Sequence, residues 1–202
     1  MQVHAKISKE WRRRMTFMFI MLFASGIWFL SDGYLVWPAE EKRYVAFKEL
    51  ADATIAAGEA KTEKDPAVIM AWGKKADAEG WKSKVPKHRS AGDLTGQRVP
   101  GFVFMVAAIT FALWVVWNHR LSIRAEGDWI TGASGQRVNL DWITETDRRK
   151  WDTKGIAYAL YEENGKRGRL TLDDHKFLGC EAILLEAERR IKARSEAASP
   201  AA

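Results

Sequence analysis

Two long apolar stretches without a Lys, Arg, Asp or Glu constrain this 202-residue chain more than any other feature of its sequence. The first stretch, residues 15–31, reads MTFMFIMLFASGIWFLS, and the second, residues 99–119, reads VPGFVFMVAAITFALWVVWNH. A helix of roughly 20 apolar residues crosses the hydrocarbon core of a bilayer. Tryptophans stand near the ends of both stretches, as is typical of rings at headgroup depth: Trp28, Trp37, Trp114 and Trp117. The sequence therefore predicts transmembrane helices at 15–31 and 99–118, the second beginning with Pro100 in its first turn.

Each stretch has an alternative interpretation. The first follows a basic tail, as a cleaved secretory signal does. Its apolar stretch is long for a signal and no small-x-small cleavage site follows it, so an uncleaved anchor is favoured. Both stretches could also be core helices of a soluble protein.

Neither stretch contains an ionisable residue within its apolar part. Ion or proton paths through membranes usually need such residues, so a transporter is not expected.

Positive charge near the apolar stretches predicts their orientation. The tail, residues 1–14, has a single acid, Glu10, and five Lys or Arg residues: Lys6, Lys9, Arg12, Arg13 and Arg14. Arg120 and Arg124 follow the second stretch, whereas residues 32–98 carry twelve basic and eleven acidic side chains. Because Lys and Arg are retained on the cytoplasmic side, both termini are predicted to be cytoplasmic. Arg12, Arg13 and Arg14 are candidate contacts to anionic lipid.

The net charge of +6 suits a nucleic acid or an anionic lipid. Its concentration beside the first apolar stretch favours lipid, and no nucleic-acid partner is predicted. The lone cysteine, Cys180, excludes an internal disulfide or a cysteine zinc site, and we interpret it as a small buried apolar residue. The histidines lack a paired spacing, so we predict no metal and no other cofactor.

Residues 32–98 have the composition of a small helical segment outside the cytoplasm. One helix is predicted from 38 to 57, and a second begins at Asp65, a capping residue followed by a first-turn proline. Trp72 and Trp81 are candidate partner contacts, with packing between the two helices as the alternative.

Residues 119–194 change to short β-branched and aromatic stretches, which predict five strands at 121–125, 128–133, 136–143, 155–162 and 167–174. Asn164 and Gly165 between the last two predict a hairpin. A terminal helix follows, with one apolar stripe formed by Phe177, Cys180, Leu184, Ala187 and Ile191. Residues 195–202 are small and polar and are predicted to be a disordered tail. The fold class is therefore an α+β membrane protein, with a two-helix hairpin and a small antiparallel sheet closed by one helix.

The string WDTKGIAYALYEENGKRGRLTLDDHKF resembles the C-terminal pleckstrin-homology-like (PH-like) domains of bacterial two-pass membrane proteins. The residues that carry the resemblance are Trp151, Lys154, Gly155, Leu172, Asp173 and Phe177. It covers residues 119–194 and implies a binding or scaffolding domain at the bacterial inner membrane. A full domain has seven strands, so either a further strand lies around 144–151 or the domain is a truncated relative.

Two groups of cations in this domain are candidate contacts to anionic headgroups, with solvated turns as the alternative. They are Arg148, Arg149 and Lys150 before Trp151, and Lys166 and Arg167 at the hairpin with Arg169 beside them. For catalysis, the only dense titratable cluster is Asp173, Asp174 and His175, and its place between strand and helix favours turn and capping roles.

These features predict a non-enzymatic, membrane-anchored interaction module that presents its cytoplasmic domain to a partner protein or to anionic lipid. The alternative is a small accessory subunit of a larger membrane complex, held by the hairpin and the outer segment.

Overall fold

The computed structural model describes residues 1–198 and divides into two compact units. One unit combines Met1–Phe19 with the described part of Thr110–Ala202, and the other is Ile20–Ile109. The chain is α+β, with long helices in its first half and antiparallel sheets in its C-terminal part.

The first apolar stretch lies in a continuous helix of 48 residues. It comprises α1 (Lys9–Ser31), a π-helical turn (Asp32–Val36) and α2 (Trp37–Ala56). The sequence indicated separate helices on either side of this turn. The wider turn ends two residues before Pro38, whose ring would clash with the carbonyl four residues earlier in a regular α-helix. The helix thus passes the proline without breaking.

The second apolar stretch lies in α4 (Ala91–His119), which begins before the predicted boundary. The expectation that Pro100 starts this helix is wrong, since Pro100 lies inside it. Ser90 and Asp93 form a capping box. The Asp93 amide donates to Ser90 Oγ (3.1 Å), and the Ser90 amide donates to Asp93 Oδ2 (2.9 Å). This cap fixes the true start of the helix.

Both long helices are long and apolar enough to span a membrane, and only 11% of each apolar window is buried by the described chain. That exposure argues against core helices of a soluble protein. Within the second unit the helices approach closely at glycines. A Cβ on Gly26 would lie 2.8 Å from Met105 Sδ, and a Cβ on Gly101 would lie 2.8 Å from Leu30. Small residues therefore allow the two helices of the hairpin to pack closely.

Helices α2 and α3 (Pro66–Ala78) form a small core of their own. Asp65 caps α3 by accepting from the Ala67 amide (3.2 Å), as predicted. Trp72 is fully buried and meets the Phe47 ring edge-on at 5.6 Å. The following loop returns to α2, where Arg89 Nε donates to Glu40 Oε2 (2.7 Å).

A five-stranded antiparallel sheet forms the first layer of the other unit. Its order is β4 (Arg137–Asn139), β3 (Trp129–Thr131), β2 (Ser122–Glu126), β1 (Gln2–Ile7) and β8 (Phe177–Leu178). The sequence predicted a tail over residues 1–14, yet residues 2–7 form β1, an interior strand between β2 and β8. Ala5 is fully buried, because its face of β1 packs against the core formed by residues that follow the second apolar helix in the sequence.

A three-stranded antiparallel sheet forms the second layer, in the order β5 (Ile143–Lys150), β6 (Ile156–Glu163) and β7 (Lys166–Asp173). β5 supplies the further strand expected around 144–151. The predicted hairpin is confirmed: Glu163 pairs with Lys166, and Asn164 (φ 51°) and Gly165 (φ 74°) form a two-residue loop with positive φ at both positions. A one-turn helix, α5 (Trp151–Lys154), joins β5 to β6.

Helix α6 (Cys180–Ala198) closes the domain. The predicted stripe is buried at Cys180, Leu184 and Ala187, and Ile191 packs beside them. The helix continues to Ala198, past the predicted boundary at 194, so residues 195–198 are helical rather than disordered. The rest of the predicted tail, residues 199–202, lies outside the described residues.

Candidate functional site

Ser8 joins the N-terminal strand to the first long helix and to the loop before β8. Its hydroxyl accepts from the Trp11 amide (3.1 Å), which caps α1, and donates to the His175 carbonyl (2.6 Å). Its amide donates to the Lys176 carbonyl (2.8 Å). The start of α1 is therefore fixed directly to the C-terminal domain.

Lys176 joins this loop to the end of α4. Its ammonium donates to Asn118 Oδ1 (2.7 Å) and lies 5.6 Å from the centre of the Trp11 ring. Asn118 is 5% exposed and donates in turn to the Trp114 carbonyl (2.8 Å). Partial burial lowers the pKa of Lys176, although the nearby Asp173 carboxylate acts in the opposite direction. Both helix ends are thus tied to one side chain of the domain.

A groove runs across the outer face of the first sheet beside these helix ends. We call it the basic groove. It has a volume of about 470 Å³ and is lined by Ile7, Leu121, Ser122 and six basic side chains: His4, Lys6, Arg12, His119, Arg120 and Arg124. None of its lining residues is acidic. A second groove of about 680 Å³ shares His4, Lys6 and Arg12 and extends past Glu10 to Asp174 and His175.

Strand register explains why the cations converge. His4 is directly opposite Arg124, and Lys6 is directly opposite Ser122, so these four side chains share one face of β1 and β2. The other face, with Ala5, is buried.

Four cations of the basic groove have no ion-pair partner in the described part of the chain. Among residues 1–198, no salt bridge or side-chain hydrogen bond is made by Lys6, Arg12, Arg120 or Arg124. Desolvation and the charges of Arg124 and Lys6 lower the pKa of His4, against the weaker opposite effect of Glu126. The groove therefore has a positive potential that its own side chains do not neutralise.

The predicted lipid-contact residues divide between this groove and other surfaces. Arg12 lines the groove. Arg13 and Arg14 are exposed on α1, and Arg14 forms an ion pair with Glu10 (2.5 Å).

The predicted basic run on β5 is largely paired within the domain. Arg148 contacts Glu188 (3.3 Å), and Arg149 contacts Asp147 (2.6 Å). The hydrogen bond from Arg149 holds the pKa of Asp147 at about 2. Lys150 is exposed, with its ammonium 5.8 Å from the Tyr158 ring.

The two cations at the hairpin are exposed and lie away from the basic groove's lining. Arg167 reaches Glu162 at 3.7 Å, and Lys166 lines a separate, smaller depression with Tyr161 and Asn164.

The two predicted tryptophan contacts have different surroundings. Trp72 has no exposed surface and packs in the small core of α2 and α3. Trp81 is partly buried, with its ring 5.9 Å from that of Trp72. Packing, the alternative considered from the sequence, accounts for the position of Trp72.

Sequence reasoning missed His4 and His119 as site residues and treated Lys6, Arg120 and Arg124 only as topological charges. The available signal was the alternation of Val3, Ala5 and Ile7 with polar residues, which is typical of a half-buried strand.

The Asp173, Asp174 and His175 cluster is engaged in turns and capping. Asp174 Oδ1 accepts from the amides of Gly179 (3.0 Å) and Glu181 (3.2 Å), at the start of α6. Asp173 Oδ1 accepts from the Lys176 amide (2.9 Å). The searched part of the chain, residues 1–198, contains no group of three His, Cys, Asp or Glu side chains placed to hold a metal.

Cys180 is the buried apolar residue that the sequence indicated. Burial raises the pKa of its thiol to about 12. A thiol with so high a pKa is almost entirely protonated at neutral pH, so it is a poor nucleophile.

No protein-family model, no curated protein and no solved structure matches this chain.

Proposed function

We propose that this chain is a non-enzymatic, membrane-anchored interaction module of the bacterial inner membrane. Its two apolar helices cross the bilayer, and its C-terminal unit is a PH-like domain at the cytoplasmic surface. Support for that domain type comes from the order of elements: consecutive antiparallel strands in two layers, then one closing helix. With β1 included, seven strands have three residues or more, which removes the shortfall of strands counted in the sequence.

The observation that carries the proposal is the pairing of β1 with β2. β1 precedes the first apolar helix and β2 follows the second, so a sheet containing both requires the two chain ends to lie on one side of the bilayer. The positive charge of the first tail and of Arg120 and Arg124 favours the cytoplasmic side.

This arrangement favours a domain that presents a binding surface to a partner over a domain that catalyses a reaction. A domain on a single flexible tether samples many orientations, whereas this one has helices leaving from two points, at Ser8 and at Asn118. Its basic groove lies beside both points. The two helices therefore hold the groove close to the membrane, where it can contact the membrane surface or a partner that lies in the membrane.

Membrane extraction and site-directed labelling test the proposal. In a Cys180→Ala background, a single cysteine replaces Ser83 in the outer loop or Ser134 in the loop before β4; both positions are exposed. Alkaline carbonate should leave the chain in the membrane pellet. In intact spheroplasts an impermeant maleimide should label Ser83→Cys at once and Ser134→Cys only after lysis. Release by carbonate, or the opposite labelling pattern, contradicts the proposal.

Copurification from mild detergent then separates the two kinds of partner. A stoichiometric protein neighbour identified by mass spectrometry supports an adaptor or accessory subunit. An isolated chain that retains anionic lipid supports direct recognition of the membrane surface.

A further inference from the structure

We propose that the basic groove binds the phosphate group of an anionic lipid headgroup in the leaflet that the domain faces. This inference rests on the membrane anchoring proposed above and adds the chemistry of what the domain contacts.

The first argument is the composition of the groove. Arg12, Arg120 and Arg124 offer guanidinium groups, which bind phosphate oxygens in a bidentate manner, and Lys6 adds a compact charge. Ser122 supplies a hydroxyl on the same face as Lys6. Cationic donors surround the space without an acidic lining residue, and this combination suits an anion with several acceptor oxygens.

The second argument is the positive charge that the groove leaves unneutralised. Lys6 and Arg124 are diagonal neighbours on the same face of β1 and β2, a distance that long side chains can reach. Neither forms an ion pair among the described residues, whereas Arg149 on β5 is neutralised by Asp147 (2.6 Å). A bound phosphate would supply the missing negative charge.

The third argument is position. Arg12 lies in the first turns of α1, and Arg120 immediately follows the end of α4. Trp114 and Trp117, near that end, are 48% and 65% exposed, as suits rings at headgroup depth. The groove therefore opens where lipid phosphates lie if both helices cross the bilayer, which favours a lipid over a soluble phosphate compound.

Native mass spectrometry of the full chain in mild detergent tests the inference, with short-chain phosphatidylglycerol and phosphatidylcholine as probes. The test variant is Lys6→Gln with Arg124→Gln. The matched control is Lys154→Gln with Lys192→Gln, which removes the same charge at two positions of the domain that do not line the groove. All four side chains are exposed, and near-ultraviolet circular dichroism verifies that both variants fold.

We expect the wild-type chain to prefer phosphatidylglycerol, and the groove variant to lose about tenfold or more of that affinity, because each basic residue near an anionic surface strengthens binding severalfold. The control variant should change the affinity for phosphatidylglycerol less than about twofold. Equal losses in the two variants would overturn the inference in favour of diffuse charge. Inorganic phosphate is the second competitor. If it displaces the lipid and binds the chain as tightly as phosphatidylglycerol does, the inference is overturned in favour of a soluble ligand.

The two proposals fail in different ways. Release of the wild-type chain by alkaline carbonate would remove the membrane anchoring itself. A chain that stays in the membrane but binds both lipids equally would remove only the phosphate site.

Discussion

His4 on β1 lies directly opposite Arg124 on β2, although the two residues stand on opposite sides of both apolar helices in the sequence. The sheet of the C-terminal domain therefore contains a strand from the beginning of the chain. Its folding requires both ends of the chain, and five predictions concern this strand, its neighbours and helix α6.

Residues 119–202 alone should not form the native domain. Without β1, the β2 and β8 strands lose their shared neighbour, and the core around Ile123 and Phe177 loses the cover of Ala5. Circular dichroism in the near ultraviolet should show no fixed tertiary packing. A fusion of residues 1–8 to 119–202 through a flexible linker should restore a cooperative urea transition. A native spectrum for 119–202 without β1 would contradict the role assigned to the strand.

Replacing Lys176 by Met should weaken the junction between the helix ends and the domain. The change leaves Asn118 Oδ1 without its donor in a largely buried site and removes the charge beside Trp11. We expect a loss of about 1–2 kcal/mol in the free energy of unfolding. Amide hydrogen exchange should also quicken around Ser8 and Asn118. Lys154→Met, at an exposed position on α5, serves as the control and should leave both quantities nearly unchanged.

Replacing Arg190 by Met should destabilise the domain more than changes at other α6 cations. Arg190 is 18% exposed and contacts Asp128 (2.6 Å), Asp141 (3.1 Å) and Glu186 (3.0 Å), which ties α6 to two loops of the sheet. Removing it leaves three carboxylates without their shared partner, at a cost of about 1–3 kcal/mol measured by urea denaturation. Lys192→Met, whose ion pair with Glu196 spans 3.8 Å at the exposed surface, should cost much less.

Acid should weaken the same contact in a defined pH range. Hydrogen bonds from Arg189 and Arg190 lower the pKa of Glu186 from its ordinary 4.5 to about 2. A carboxylate whose pKa is lower in the folded state stabilises the fold above its unfolded pKa, and this contribution is lost as pH falls through the folded pKa. The stability difference between wild type and Glu186→Gln should therefore shrink between pH 4.5 and 2.

Cys180 should resist thiol reagents in the folded protein. Its side chain is fully buried and its pKa is raised to about 12, so the thiolate is scarce and inaccessible. A disulfide-exchange reagent should react only in urea, with a midpoint that matches the unfolding transition. Rapid reaction in buffer would show that the start of α6 opens without global unfolding.

Local signals in the sequence predicted much of this fold. Asn164 and Gly165 define their turn by backbone preference alone, and the apolar stripe from Cys180 to Ile191 defines the buried face of α6. These features depend on neighbours within a few residues. The start of α4 was mispredicted because the proline was given more weight than the Ser90 and Asp93 capping box, which is equally local.

β1 and the basic groove were harder to predict because they depend on distant partners. The six-residue segment of β1 has the alternation of a half-buried strand, but it is short and its pairing partner begins only at Ser122. The count of positive charges identified Lys6, Arg12 and Arg124, but it did not predict that their side chains line one groove. Which cations are neutralised depends on tertiary contacts, as the ion pair of Arg148 on β5 with Glu188 on α6 illustrates.

Cysteine crosslinking tests the central claim most directly, namely that the two ends of the chain form one sheet. In a Cys180→Ala background, His4→Cys is combined with Arg124→Cys, or with Thr131→Cys on the next strand as the control. Directly opposite residues have Cα atoms about 4.5–5.5 Å apart, within the range of a disulfide, whereas the control pair is two strand spacings apart, about 9–10 Å. Oxidation in native membranes should crosslink the first pair within one chain and leave the second pair reduced. Absence of the first crosslink, or its appearance only between two copies, would contradict the account.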